Sequence, residues 1–147
     1  MFEKKHSTAR RLFLLVVLSL SWITISTTQV HFESSTYKQA LAKASRLNKL
    51  VFIYFYTDWC KPCKEVPKVV FVDSLIRFTI ASRYVSLKRN AEKGEGLTLS
   101  KRYNVGGFPT FLFLDTSGKE LGRVMGTRSN KDYLELFRSA GSLDPLR

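Results

Sequence analysis

The sequence predicts an α/β fold: a central mixed β-sheet flanked by helices on both faces. Three observations point to it. Leu50–Tyr56 (LVFIYFY) is an unbroken apolar, aromatic and β-branched run, the pattern of a strand buried on both sides. Segments with helical spacing of apolar residues stand before and after that run, so helices and strands alternate along the chain. Thr110–Leu114 (TFLFL) is a second buried strand, and the turn Asp115-Thr116-Ser117-Gly118 leads out of it into a further strand, Glu120–Met125.

The elements follow in order. Ser34-Ser35-Thr36 offers hydroxyls to cap a helix whose apolar side is Tyr37, Ala40, Leu41, Ala44 and Leu47, and Asn48-Lys49 ends it. After the central strand comes Thr57-Asp58-Trp59-Cys60-Lys61-Pro62-Cys63, where Pro62 suits the first turn of a helix because its missing N–H costs nothing there. Lys64 to about Ile80 reads as one helical stretch kinked by Pro67. Tyr84–Leu87 is a short strand, Ala91–Gly96 a polar loop and Leu97–Tyr103 a short helix. Asn130 is placed to cap a last helix, Lys131–Ala140, with Tyr133, Leu134, Leu136 and Phe137 on its apolar side. The predicted order is α-β-α-β-α-β-β-α.

A chain of 147 residues, 44% hydrophobic and 13% aromatic, suits one globular domain with a short appendage. A mean hydropathy of −0.10 excludes a polytopic membrane protein. The formal net charge is +12, but the basic residues are scattered, with Lys88-Arg89 and Lys101-Arg102 the densest pairs. This is the pattern of a solvated basic surface, with attraction to anionic headgroups or acidic partners as the sharper alternative. No groove-reading motif accompanies the charge, so nucleic acid is not an expected partner.

The first residues have the order of an export signal. Met1–Arg11 is polar and basic, Leu12–Ile25 (LFLLVVLSLSWITI) is almost wholly apolar, and Ser26–Thr28 is small and polar. The apolar run is shorter than the ~20 residues of a typical spanning helix. Residues 1–28 are therefore expected to be a signal peptide or an N-terminal membrane anchor, attaching through residues 12–28, with the folded domain at 29–147. Arg10-Arg11 partly fits a twin-arginine signal, though ordinary basic charge ahead of the apolar run accounts for it. On either reading the domain is exported, periplasmic or otherwise extracytoplasmic, where disulfide chemistry is meaningful.

The chain has two cysteines, Cys60 and Cys63. A thiol–disulfide catalyst needs an ionisable nucleophilic thiol and a second thiol near enough to release the mixed disulfide. A C-x-x-C at a helix N-terminus supplies both, since backbone N–H groups and the helix dipole favour the thiolate of the first cysteine. Lys61 adds positive charge in the same sense. Cys60 is the expected nucleophile and Cys63 the resolving thiol. A structural zinc site wants four ligands, and His31 is the single histidine outside the leader, His6 lying within it. Haem attachment by C-x-x-C-H fails because Lys64 stands where the histidine would be. A purely structural disulfide would constrain little across so short a loop. Copper handling by the two thiols remains an alternative chemistry. Redox catalysis needs no metal or organic cofactor.

Trp59-Cys60-Lys61-Pro62-Cys63-Lys64 resembles the W-C-x-P-C-K active site of the thioredoxin superfamily, and Val105-Gly106-Gly107-Phe108-Pro109-Thr110 resembles its second signature. The likeness runs over about residues 34–140. Phe55–Cys60, Cys63-Lys64-Glu65, Leu99–Thr110 and Asp115–Gly118 are most similar to the exported subgroup that includes the C-terminal domain of the electron transporter DsbD. The resemblance implies a thioredoxin fold, a cis-proline at Pro109 beside the cysteine pair, and a substrate rim formed by Trp59 and Phe108, with the Phe108 backbone pairing with an incoming strand. It implies a monomer that reduces disulfides in exported proteins or relays electrons, re-reduced by a membrane or periplasmic thiol reductant. A thiol-dependent chaperone or copper-delivery factor for exported metalloproteins, and a net disulfide oxidant, are the competing functions. One departure stands out. The family usually has a buried Asp six residues before the first cysteine, and Tyr54 occupies that position. Asp58 and Glu65 are the candidate substitutes for proton transfer.

Overall fold

The structure is a computed structural model that describes residues 29–140; the expected leader, residues 1–28, lies outside the described residues. Among the described residues five helices and four strands follow one another: α1 (Tyr37–Leu47), β1 (Leu50–Tyr56), α2 (Lys61–Val69), α3 (Ser74–Arg83), β2 (Tyr84–Asn90), α4 (Gly94–Arg102), β3 (Thr110–Leu114), β4 (Glu120–Met125) and α5 (Asn130–Ser139). The sheet order is β2-β1-β3-β4. β1 is parallel to β2 and antiparallel to β3, and β3 is antiparallel to β4, so the sheet is mixed.

The two-residue period of a strand divides β1 between two cores. Phe52 and Tyr54 face one side, where Val66 of α2, Ile76 and Ile80 of α3, and Tyr133 and Phe137 of α5 cover them. Val51, Ile53 and Phe55 face the other, packed under Tyr37, Ala40 and Ala44 of α1 and Leu99 of α4. Every residue from Val51 to Phe55 is fully buried, which is why the segment has no polar position. Aromatic rings fill the first core: Phe52 meets Phe137 edge-on at 5.0 Å and stacks on Phe113 at 5.5 Å.

Local chemistry sets the boundaries. Thr36 caps α1 in a reciprocal capping box with Gln39, and Asn48 closes the helix in the left-handed region at φ 50°. Leu47 is 50% exposed and does not join the buried face of α1. The stretch expected as one helix from Lys64 to Ile80 is two. It breaks after Val69, and the Asp73 carboxylate accepts from the backbone of Leu75 at 3.0 Å and of Ile76 at 3.1 Å to start α3. β2 runs three residues beyond the expected Leu87, because Lys88, Arg89 and Asn90 still pair with Tyr54, Phe55 and Tyr56. α4 begins at Gly94, inside the expected loop; Gly96 passes so close to β2 that a Cβ there would stand 2.0 Å from the Asn90 carbonyl oxygen. The cap of α5 is Ser129, whose hydroxyl accepts from the Asp132 backbone at 3.2 Å, while the Asn130 amide donates to the Val69 carbonyl at 3.3 Å.

Candidate active site

β1 delivers the chain to the site and α2 takes it away. Thr57 to Trp59 turn the backbone between them, and Cys60 is the N-cap of α2. Its Sγ accepts from the Cys63 N–H at 3.2 Å, as a capping oxygen would. Cys60 and Cys63 are joined in a disulfide with Cα atoms 5.3 Å apart. In this oxidised form both are buried, at 2% and 4% exposure, while Trp59 beside them is 67% exposed. Lys61 and Pro62 occupy the first turn of α2, both exposed.

The second signature meets the first through its aromatic residue. Phe108 lies edge-on to Trp59 at 5.9 Å, and the Trp59 indole N–H donates to Glu92 at 2.9 Å. The Phe108–Pro109 peptide bond is cis, and the Pro109 carbonyl accepts from Gly126 N–H at 2.8 Å. A shallow groove of about 300 Å³ continues along the other flank of α2, bounded by Pro62, Glu65, Val66, Val69, Arg128 and Tyr133.

The two candidate proton-transfer carboxylates are placed differently. Asp58 accepts from Lys93 Nζ at 2.5 Å and from the Asn90 amide at 2.9 Å. The Lys93 hydrogen bond and charge hold its carboxyl below the usual range, with help from Asn90 and Lys64. Asp58 borders a cavity of about 270 Å³ that also touches Cys63, Thr57, Lys64, Pro67 and Lys88. Glu65 is exposed, pairs with Lys68 at 2.9 Å and lines the groove on the opposite flank. Only Asp58 therefore shares a space with a cysteine. A separate cavity of about 540 Å³, with Val30, Leu47, Lys49 and Phe78 in its lining, lies at the start of β1 and touches no residue of this site.

Tyr54 has a specific task. An α-helical N–H bonds the carbonyl four residues back, so residue 67 should donate to Cys63. Pro67 has no N–H, and the Tyr54 hydroxyl donates to the Cys63 carbonyl instead, at 2.9 Å. Burial, and then the neighbouring Tyr133 and Tyr56, push Tyr54 ionisation well above the ordinary phenol range. A phenol takes the family's carboxylate position as a neutral donor that completes the backbone of α2. Sequence reasoning singled out Tyr54 but not this bond. The spacing of Pro67 four residues after Cys63 was the available signal, since it marks the Cys63 carbonyl as lacking a helical partner.

Among the described residues no group of three or more His, Cys, Asp or Glu is placed to hold a metal ion. A dithiol at a helix N-terminus, with an exposed aromatic rim, is built for thiol–disulfide exchange.

Comparison with known proteins agrees with this geometry. Residues 37–141 match the family described as a thioredoxin-like domain. The thiol:disulfide interchange protein DsbD of Yersinia pestis (strain Pestoides F) is 35% identical over 95 residues, 63% of this chain and 16% of the relative. The chain thus spans less than a fifth of the length of that curated relative. A candidate disulphide isomerase from Bacteroides thetaiotaomicron superposes with a TM-score of 0.70 at 35% identity, covering 79% of this chain and 96% of the other. The reduced C-terminal domain of Neisseria meningitidis DsbD shares the fold, with a TM-score of 0.59 at 24% identity over 70% of this chain and 92% of its own. With its sheet order, its Cys60–Cys63 pair and this family match over most of its length, the chain belongs to the thioredoxin-like domain family.

Proposed function

We propose that this thiol–disulfide oxidoreductase acts outside the cytoplasm as a reductant or electron relay, with Cys60 attacking and Cys63 resolving. The carrying observation is the position of Cys60 at the N-cap of α2, its sulfur against the Cys63 N–H and beside the exposed Trp59. The helix dipole and that N–H favour a Cys60 thiolate in the reduced protein, and Lys61 adds charge of the same sense. The thiolate attacks a substrate disulfide, forming a Cys60–substrate bond and releasing one substrate sulfur as thiolate. Cys63 then attacks Cys60 Sγ and releases the other sulfur. Two electrons pass to the substrate and the Cys60–Cys63 disulfide is left. A membrane or periplasmic thiol reductant restores the dithiol. Trp59 and Phe108 form the rim that receives the substrate segment, and the Phe108 backbone pairs with it.

The likeness to relatives named for thiol:disulfide interchange supports the exchange chemistry, and the basic, apolar and then small polar order of residues 1–28 supports an export signal or anchor. Two measurements test the reading. In Cys63→Ala, mixed disulfides through Cys60 should accumulate with exported proteins; if none form, the assignment of the two thiols is wrong. The reduction potential of the full chain, equilibrated in a thiol buffer, should lie near about −270 mV, whereas a value near about −120 mV reverses the direction and makes the protein a disulfide donor. The mass of the protein isolated from membranes distinguishes a cleaved leader from a retained one.

A further inference from the structure

We propose that the groove where β1 and β2 begin is a docking surface for a membrane of anionic phospholipid. The groove has a volume of about 540 Å³ and lies between the end of α1, α3 and the incoming segment at Gln29 and Val30. Nothing in the exchange chemistry uses it.

Its apolar residues face water. Ser74, Arg77, Phe78 and Ala81 follow one another along α3 at helical spacing, and this stripe lines the groove. Phe78 is 73% exposed, more than Trp59 at the substrate rim. Leu75, one turn earlier on α3, is exposed as well, and so is Leu47, which lines the groove from the end of α1. Large apolar side chains gathered around one groove mark a contact surface, whereas single scattered ones need no explanation.

The charge around them is positive. Lys43, Lys49 and Arg77 line the groove against the carboxylate of Glu33, which Lys43 already holds at 2.7 Å. Lys49 Nζ donates to the Ala81 carbonyl at 2.6 Å, a bond that leaves its charge uncancelled. Arg46 and Arg83, in the last turns of α1 and α3, add charge at the ends of the same two helices. An anionic bilayer interface takes this combination: the ring and the leucines enter the boundary between headgroups and acyl chains, and the cations meet lipid phosphates. A second copy of the chain suits the groove less, since a two-fold contact would bring the same cations of both copies together.

The path of the chain agrees. An anchor in residues 12–28 ends at Thr28, and the next residue, Gln29, lines the groove. No linker then separates the bilayer from the cations. This part of the argument rests on the reading of residues 1–28 as an anchor; the exposed side chains and the charge do not.

The test uses the full chain with vesicles of phosphatidylcholine, alone or mixed with phosphatidylglycerol. Phe78→Trp places a fluorophore on the groove, read as the difference from the wild type, which carries Trp22 and Trp59. With phosphatidylglycerol present, lipids brominated in their acyl chains should quench this added emission about threefold more strongly than in phosphatidylcholine alone, and salt should reverse the gain. Lys49→Glu combined with Arg77→Glu should abolish the gain, and Lys49→Gln combined with Arg77→Gln should reduce it. Unchanged thiol–disulfide turnover shows that these variants are folded, because the groove touches no residue of the active site. If the charge-reversed chain still floats with the vesicles, residues 1–28 hold it; if it does not, the groove was the main contact. Quenching falls in both cases. The proposal is overturned by added emission that escapes quenching, by equal quenching in the two lipids, or by quenching that survives charge reversal. Emission shielded from brominated lipid yet dependent on protein concentration would put a second copy in the groove instead.

Discussion

Replacing Tyr54 with phenylalanine removes a single hydrogen bond whose worth follows from the helix it completes. The Cys63 carbonyl is buried, its helical donor is absent because residue 67 is proline, and the Tyr54 hydroxyl at 2.9 Å takes the donor's place. Leaving a buried carbonyl unpaired costs about 1–3 kcal/mol. Tyr54→Phe should therefore lower stability by that amount while preserving the ring's contacts with Phe71 and Phe111 at 5.2 and 5.3 Å. Pro67→Ala supplies an N–H to the same carbonyl, so in that background Tyr54→Phe should cost less, by about 1 kcal/mol or more. Urea unfolding of the oxidised wild type, both single variants and the double variant gives the coupling directly. Equal costs of Tyr54→Phe in the two backgrounds, within about 0.5 kcal/mol, would refute the claim that phenol and proline are two halves of one arrangement.

Three further outcomes are expected. Burial pushes Tyr84 up to about 12, and it raises Tyr54 and Tyr133 as well. Unfolded tyrosines ionise near about 10, so the folded state holds these protons more tightly. Stability should be whole below pH ~10 and fall as pH rises toward about 12, by up to about 1.4 kcal/mol per pH unit for each tyrosine. Denaturant midpoints followed across that range check the sign, and a flat profile contradicts it. Gly96→Ala sets a Cβ 2.0 Å from the Asn90 carbonyl oxygen, a backbone atom that cannot swing away. It should cost about 1–3 kcal/mol, seen as a lower thermal midpoint. Trp59→Ala removes the ring that meets Phe108 and the bond to Glu92 at a largely exposed position. Stability should change by no more than about 0.5 kcal/mol, while attack on protein disulfides slows relative to attack on a small aromatic disulfide. Equal slowing of both substrates would remove Trp59 from the substrate rim.

The sheet and its two cores were legible because LVFIYFY has no polar position, which only a strand covered on both faces requires. The break between α2 and α3 was hidden by the same kind of signal. Val69, Val70, Phe71 and Val72 are apolar straight through the turn, so hydrophobic spacing gives no hint that the backbone changes direction. Asp73-Ser74 was the readable cue, an N-cap in the middle of an apolar stretch. The end of β2 was missed because Lys88, Arg89 and Asn90 belong to the outer strand of the sheet, where polar side chains reach water while the backbone still pairs. The cysteine pair could be read from spacing alone. The roles around it could not, because the Tyr54–Cys63 bond depends on a proline in the helix and a hydroxyl in the strand coming within reach of each other.

The path by which the chain enters the domain has a mechanical consequence. Gln29 and Val30 lie beside Lys49 and Tyr84, where β1 and β2 begin, and Glu33 N–H then bonds the Ser86 carbonyl at 2.8 Å. The disulfide sits past the other end of β1, seven residues away at about 3.3 Å each, or roughly 20 Å. Anything joined to the domain at Gln29 is thus held at the pole opposite the sulfurs. The sheet acts as a rigid stand-off, so a tether and a redox partner can engage the domain together without competing for the same surface.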